Sequence, residues 1–371
     1  REEPSATGDR KTHAMNATFP LFSGLQTPGA AQDKAANTLA AARALTPHLN
    51  RSRALDRKLV ASTMTISFGG SDAEGAWSWR DAYDAIEAAL VLQLRRLSPQ
   101  IGRLEDAPAE IAVLLASVTD LTLTHTRRSE EQVALDQFST PPALAALAVL
   151  AAQVRPGDKV LEPSAGTGLM AIIAEACGAT LELNEIAPHR SALLDGLFPA
   201  ASRTRHDAAH LKDTLPSSGS FQAVIANPPF QRLEGHLHAA IDCLAEGGRL
   251  CAIVPTRLFE DAGAMQALSR RGRVVALIAF PPRAYAKHGT SVETGLLVLD
   301  RVDQLGVGVG AVKVVSGETL ADIAKLIAAL DPRPTAQPRQ FRSVSNVAFL
   351  APRARALATP STRLGFLAGA S

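Results

Sequence analysis

Val160-Leu161-Glu162-Pro163-Ser164-Ala165-Gly166-Thr167-Gly168 is the stretch on which the reading of this chain turns. An apolar run feeds a turn of small residues, and a helical pattern opens at about residue 167. Gly166 and Gly168 carry no Cβ, so such a turn lets ligand atoms come close to the backbone. Outward from it the texture repeats. TLELNE (180–185) precedes a helix from about 188, and SRTRHD (202–207) comes after that helix. FQAVIANPP (221–229) precedes a helix from about 234, and RLCAIVP (249–255) one from about 261. RVVALIAF (273–280) and ETGLLVLD (293–300) come last. Seven short apolar runs alternating with helical stretches predict an α/β fold, a doubly wound and mostly parallel sheet. No helical pattern separates the last two runs, which predicts an antiparallel edge.

Upstream, the period changes. From 33 to 125, apolar residues recur at spacings of three and four, and nothing alternates with period two, so an all-α region is expected there. Trp77 and Trp79 sit in a Gly-rich turn within it, placed either to stack on bases or to pack between helices. The expected organisation is a flexible arm at 1–32, a helical domain at 33–125, the sheet domain at 126–305 and a C-terminal extension at 306–371. The stretch 331–371 carries six arginines against Asp331 alone and reads as an extended basic segment, either solvated or touching phosphate.

With 46% hydrophobic and 20% charged residues among 371, the chain can pack a core, and global disorder is excluded. A net charge of +2 excludes a nucleic-acid-coating polycation. The three cysteines, Cys177, Cys243 and Cys251, have no zinc or disulfide spacing, and no metal site is expected. The uncharged run from Phe138 to Val154 is too short and too polar to span a bilayer. No membrane association is expected, and the cysteine usage fits a cytoplasmic location.

Three acids lie at three successive strand ends, where ligands of such sheets bind. Glu162, just before the glycine turn, is unfavourable beside a pyrophosphate and suits a ligand carrying an ammonium group. Glu185, 17 residues after Gly168, can accept from both hydroxyls of a ribose. Asp207 can meet the amino group of an adenine. Gly166 to Ala171 also fits the loose dinucleotide pattern GxGxxA, but a dinucleotide explains neither Glu162 nor the tetrapeptide at 227–230.

That tetrapeptide, Asn227-Pro228-Pro229-Phe230, comes directly after the run FQAVIA. Two prolines cannot continue a parallel strand, because neither has an N–H. They fix where the Asn227 amide oxygen and the Pro228 carbonyl point. An exocyclic amine donating to both acceptors has its lone pair directed at an electrophile. Phe230 offers a flat apolar face to a planar base.

VLEPSAGTG, NEI (184–186), HDA (206–208) and NPPF together resemble the class I S-adenosylmethionine-dependent methyltransferases, and within them the DNA adenine-N6 branch. QFSTPP (137–142) resembles the element that precedes the glycine turn in the gamma arrangement. The resemblance covers about 135–300. It implies a Rossmann-like methyltransferase sheet and S-adenosyl-L-methionine as cofactor. Phe138, Thr140, Pro141, Glu162, Ala165, Gly166, Gly168, Glu185, Ile186, Asp207, Ala208 and Asn227 would hold that cofactor. Asn227, Pro228, Pro229 and Phe230 would form the catalytic motif, and adenine in DNA would be the target. NPPF also fits guanine-N2 methyltransferases of ribosomal RNA, and NPPY glutamine methyltransferases.

FGGSDAEGAWSWRDAYDA (68–85), THTRRSEE (124–131) and AKHGTSVETGLLVLD (286–300) resemble the methyltransferase module of bacterial and phage methylase–helicase proteins of the strawberry-notch type. This implies a helicase as a downstream or separate partner, or a binding module with little turnover. Arg127 and Arg128 either contact phosphate or pair with Glu130 and Glu131. Tyr285, His288 and Thr290 lie in the stretch that borders the target pocket of adenine methyltransferases.

Overall fold

One sheet organises the molecule. Its strands are β1 (Lys159–Glu162), β2 (Thr180–Asn184), β3 (Ser202–Thr204), β4 (Phe221–Ala226), β5 (Leu244–Pro255), β6 (Arg273–Ala279), β7 (Thr294–Asp300) and β8 (Lys313–Ser316). They lie in the order β3-β2-β1-β4-β5-β7-β6-β8. The computed structural model describes residues 28–124, 139–282, 292–302 and 313–334. All of these belong to one compact unit.

The seven expected strands are present, and β7 runs antiparallel to both neighbours, slotted between β5 and β6. An eighth strand, β8, pairs parallel with β6. It comes from the stretch read as a C-terminal extension, and it covers a backbone edge that β6 would otherwise present.

Side chains of the central strands alternate between two apolar layers, as period two dictates. Ala223 and Ile225 of β4 face one layer, Val224 and Ala226 the other. Helices cover both faces, which is why these strands read as continuous apolar runs. They are α1 (Pro28–Asn50), α2 (Arg57–Phe68), α3 (Trp79–Arg96), α4 (Ser98–Ile101), α5 (Pro108–Asp120), α6 (Pro142–Ala152), α7 (Leu169–Ala176), α8 (Pro188–Leu197), α9 (Leu211–Thr214), α10 (Leu233–Cys243), α11 (Arg257–Glu260), α12 (Ala262–Ser269) and α13 (Leu320–Ala328). Helix α1 begins five residues earlier than the expected boundary at 33. Pro28 explains the start: the first helical position needs no N–H, and proline's φ already suits it.

The N-terminal helices share a core with the sheet. Leu45, Ile86, Leu90 and Leu115 belong to the same apolar cluster as Leu147, Ile172, Ile253 and Ile278. Helix α6 is buried along its whole length, packed against α5, α7, α13 and β5. Its uniformly apolar sequence is that of a helix enclosed on all sides. Among the described residues no helix is long and apolar enough to cross a membrane.

Helix α3 is also buried on nearly every face from Asp81 to Val91, although acids recur every third residue at Asp81, Asp84 and Glu87. Each has its own partner. Asp81 closes a capping box with Ser78 and pairs with Lys34 at 2.7 Å. Asp84 binds Arg190 of α8 at 2.8 Å. Glu87 accepts from Ser139 and Thr167.

Trp77 is buried edge-on against Trp79, and the Arg57 guanidinium lies 3.8 Å over the Trp79 ring. The two indoles pack among α2 and α3 rather than standing open as a stacking platform.

Midway along β5, Arg249 is fully enclosed and bonded to Asp300 through Nε at 2.6 Å and Nη2 at 3.1 Å. Arg273 also reaches Asp300, at 2.9 Å. Arg333, the first arginine of the stretch read as a solvated or phosphate-touching segment, is buried instead. It donates to Asp158 at 2.8 Å and to the Gln222 carbonyl at 3.1 Å. The other five arginines of that stretch lie outside the described residues.

Candidate functional site

The strand order reverses between β1 and β4, the crevice where doubly wound sheets bind ligands. A cavity of about 500 Å³ opens there, at the carboxyl ends of β1, β2, β3 and β4. Nine of the expected cofactor residues line it: Thr140, Glu162, Ala165, Gly166, Glu185, Ile186, Asp207, Ala208 and Asn227. Pro229 joins them.

The remaining expected residues stand elsewhere. Pro141 precedes the first turn of α6, its carbonyl accepting from Ala145 N at 2.9 Å. Pro228 and Phe230 come after β4 without lining the cavity. Gly168 caps α7 with φ 88°, and a Cβ there would fall 2.3 Å from Phe198 Cε2. It is bare because a ring packs on it, whereas Gly166 (φ 56°) is bare toward the cavity, with Arg190 Nη1 the nearest atom at 4.0 Å. Phe138, Arg127, Arg128, Tyr285, His288, Thr290 and residues 1–27 lie outside the described residues.

Asn184, the residue before Glu185, builds the floor. Its Nδ2 donates to the carbonyls of Pro163 (2.8 Å) and His206 (3.0 Å). Its Oδ1 accepts from Thr204 Oγ1 (2.9 Å) and His206 N (2.8 Å). One amide thereby ties together the ends of β1, β2 and β3, with every donor and acceptor used.

Glu185 holds the glycine turn directly. Oε2 accepts from Gly166 N at 2.8 Å and Oε1 from Ala187 N at 2.9 Å. Burial raises its pKa, and Arg190 and these two amides only partly oppose that. Glu162 is 3% exposed, and its Oε2 has no hydrogen-bond partner. Burial pushes its carboxyl well above the usual range; a bond from the Ala171 backbone lowers it and the charge of Glu185 raises it further. A buried, unpartnered carboxylate oxygen in a cavity wall is a site for a cationic donor. Asp207 accepts from Ala209 N at 3.0 Å and so caps the short turn after β3 while lining the cavity.

NPPF and the Thr-Pro element meet here. Asn227 Nδ2 donates to Thr140 Oγ1 at 3.0 Å, across 87 residues of sequence. With Nδ2 turned to Thr140, Oδ1 is the end of the amide that accepts.

Four residues that build or support the cavity escaped the sequence reading: Asn184 and Arg190, which line it, and Asp84 and Glu87, which bond to its lining residues Arg190, Ser139 and Thr167. Burial works against the charge of Asp84, but Arg190 and His189 outweigh it and hold the carboxyl well below the usual range. Arg190 lines the cavity, and despite burial its pKa is raised by Asp84, Glu87 and Glu185. The available signal was the acid at every third position among the alanines, Tyr83 and Ile86 of α3, a pattern that once buried requires internal partners. Gln231, Arg232 and His236 also line the cavity; burial lowers the His236 pKa and favours the neutral ring. Among the described residues no group of three or more His, Cys, Asp or Glu is placed to hold a metal ion.

No family model and no curated protein matches the chain. Among solved structures it is similar to TrmN from Thermus thermophilus, at 24% identity over 46% of this chain and 51% of that one, with a TM-score of 0.36. It is also similar to a Listeria monocytogenes protein described as a class I S-adenosylmethionine-dependent methyltransferase, at 13% identity over 81% and 98%, with a TM-score of 0.46. A third is a geranyl diphosphate methyltransferase in complex with S-adenosylmethionine, at 16% identity over 44% and 86%, with a TM-score of 0.36. The strand order 3-2-1-4-5-7-6 with β7 antiparallel, seen in this chain itself, is that of a Rossmann-like methyltransferase sheet.

Proposed function

We propose that the chain is an S-adenosyl-L-methionine-dependent methyltransferase acting on the exocyclic N6 amine of adenine in DNA. The observation that carries this reading is the Asn227–Thr140 bond at 3.0 Å, which brings NPPF to the wall of the cavity that also holds the glycine turn. One ligand can therefore touch both, and about 500 Å³ suits a small organic molecule.

The donor set fits that cofactor. The unpartnered oxygen of Glu162 takes an ammonium group and would repel a phosphate. Each Glu185 oxygen accepts one backbone N–H and keeps lone pairs for the ribose hydroxyls. Ile186, 46% exposed despite being apolar, gives a purine a flat contact beside Asp207 and Ala208. When bound, the cofactor supplies a methyl group on positively charged sulfur.

The chain's own residues orient the acceptor. Asn227, its nitrogen committed to Thr140, turns Oδ1 to accept one amine N–H. The Pro228 carbonyl would accept the other and Phe230 would stack on the base, both from positions just past β4 that do not line the cofactor cavity. The amine's proton can pass to water, so neither the Asn227 amide nor the Pro228 carbonyl has to act as a strong base. Adenine must leave the stack to enter, by flipping or from a single strand. The narrower resemblance adds a helicase acting alongside, and three free cysteines are in keeping with a cytoplasmic setting.

Methyl-labelled cofactor offered with unmethylated DNA, ribosomal RNA and protein tests the proposal. Label should enter DNA as N6-methyladenine. Asn227→Ala should cut transfer by about 100-fold or more, as loss of one positioned polar group does, with cofactor affinity nearly unchanged. Label in RNA or protein alone would refute the DNA assignment, and absence of cofactor binding would refute the methyltransferase.

A further inference from the structure

We infer that Glu87 is a positioning residue that couples the glycine turn to the amide of Asn227; the inference rests on the function proposed above. Glu87 stands on α3, outside every motif, and is 3% exposed. Its Oε2 accepts from Thr167 Oγ1, inside the turn, at 2.8 Å. Its Oε1 accepts from Ser139 Oγ. Ser139 adjoins Thr140, whose hydroxyl accepts from Asn227 Nδ2 at 3.0 Å. A continuous polar path thus runs Thr167–Glu87–Ser139–Thr140–Asn227, linking the two halves of the cavity through the helical layer.

A carboxylate suits this place because both oxygens only accept, so two hydroxyls can donate to one group from opposite sides. Its charge is offset by the neighbouring Arg190, whose own charge Glu87 helps to stabilise. Glu87 reaches no reacting atom. It sets where Thr140 stands, and therefore which way the Asn227 amide faces.

Three variants separate positioning from support: Glu87→Ala, Glu87→Gln and Ser139→Ala. Gln keeps one acceptor and can donate to the second hydroxyl, so it should restore most of the activity that Ala loses. Ser139→Ala cuts only the branch toward Asn227, leaving Thr167 held. It should lower kcat by about tenfold or more, since small misplacements near a reacting centre are costly; because Ser139 and Thr140 line the cavity, the cofactor Kd should change too, but by less than kcat. Combined with Glu87→Ala it should add nothing further, because the path is already cut.

A readout free of turnover accompanies these. Asparagine-selective 15N labelling gives six side-chain amides. The Asn227 signal should move or broaden in Ser139→Ala and Glu87→Ala, and return in Glu87→Gln. Wild-type kcat and an unmoved Asn227 signal in Ser139→Ala would overturn the inference. A wild-type chain without methyl transfer, whose Asn227 signal still responds to Ser139→Ala, would instead overturn the proposed function and leave the coupling standing.

Discussion

The two glycines of the turn should fail in opposite ways when given a methyl group. At Gly168 the backbone sits at φ 88°, ψ 25°. An L-residue there costs about 1–2 kcal/mol. The new Cβ would lie 2.3 Å from Phe198 Cε2 and 2.8 Å from Cζ. Ordinary contact begins near 3.4 Å, so the ring must retreat by roughly 1 Å, inside a core packed as densely as a crystal. Phe198 is among the largest fully enclosed side chains, which leaves it nowhere to go. Overpacking adds about 1–3 kcal/mol, for a total of about 2–5 kcal/mol. That is a large share of the roughly 5–15 kcal/mol by which a folded protein is stable. At Gly166, φ is 56° and the nearest atom is 4.0 Å away. Only the backbone cost of about 1–2 kcal/mol applies. The methyl enters the cavity instead, and should weaken cofactor binding by about tenfold or more, the equivalent of about 1.4 kcal/mol. Urea unfolding gives the stabilities, and calorimetry with S-adenosylmethionine gives the affinities. The reasoning fails if Gly168→Ala unfolds within about 0.5 kcal/mol of wild type, the range of inconsequential surface changes, or if Gly166→Ala is the more destabilised of the two.

Glu162→Gln should stabilise the ligand-free protein above about pH 5 while lowering cofactor affinity by about tenfold or more, the loss expected for a charge-assisted hydrogen bond. The pKa of Glu162 is raised by burial, as is that of Glu185, so the native state holds these protons more tightly than the unfolded chain. Their contribution to stability is full below the ordinary value of 4.5 and is lost as pH rises through the raised values. A cation paired with Glu162 reverses its shift, so cofactor affinity should rise with pH and binding should release a proton. Calorimetry in buffers of differing ionisation enthalpy measures that proton, and finding none at any pH would exclude Glu162 as the ammonium partner. Asp300→Ala leaves the enclosed Arg249 guanidinium without its carboxylate and should cost about 3–5 kcal/mol in urea unfolding. An apolar replacement of both residues should recover much of that loss.

The sheet was legible because both its faces are covered. Central strands such as β4 then read as apolar runs between helical patterns, and the ends of β1, β2 and β4 place Glu162, Glu185 and Asn227 together. Motif residues that touch the cavity through backbone or short side chains, such as Gly166 and Ala165, were legible for the same reason. Gly168 and Gly166 look alike in sequence, and only the placement of Phe198, thirty residues on, tells packing from access. Glu87 and Arg190 stayed hidden because the partners of α3's acids are 80 and 106 residues away. Local periodicity records that a helix is buried but not what it is buried against. Strand β8 lies in the stretch read only as a C-terminal extension, because its pairing with β6 depends on where the chain returns.

The stripe of acids on α3 makes the sheet domain of this molecule a poor candidate for transplantation. Excising residues 126–305 as a cassette would carry away Arg190 stripped of its counter-ion and a flank of leucines with no cover. Natural shuffling of such modules would meet the same obstacle: a crossover between the helices and the sheet separates charges that were placed together inside the protein. The helical layer is therefore expected to be inherited along with the sheet.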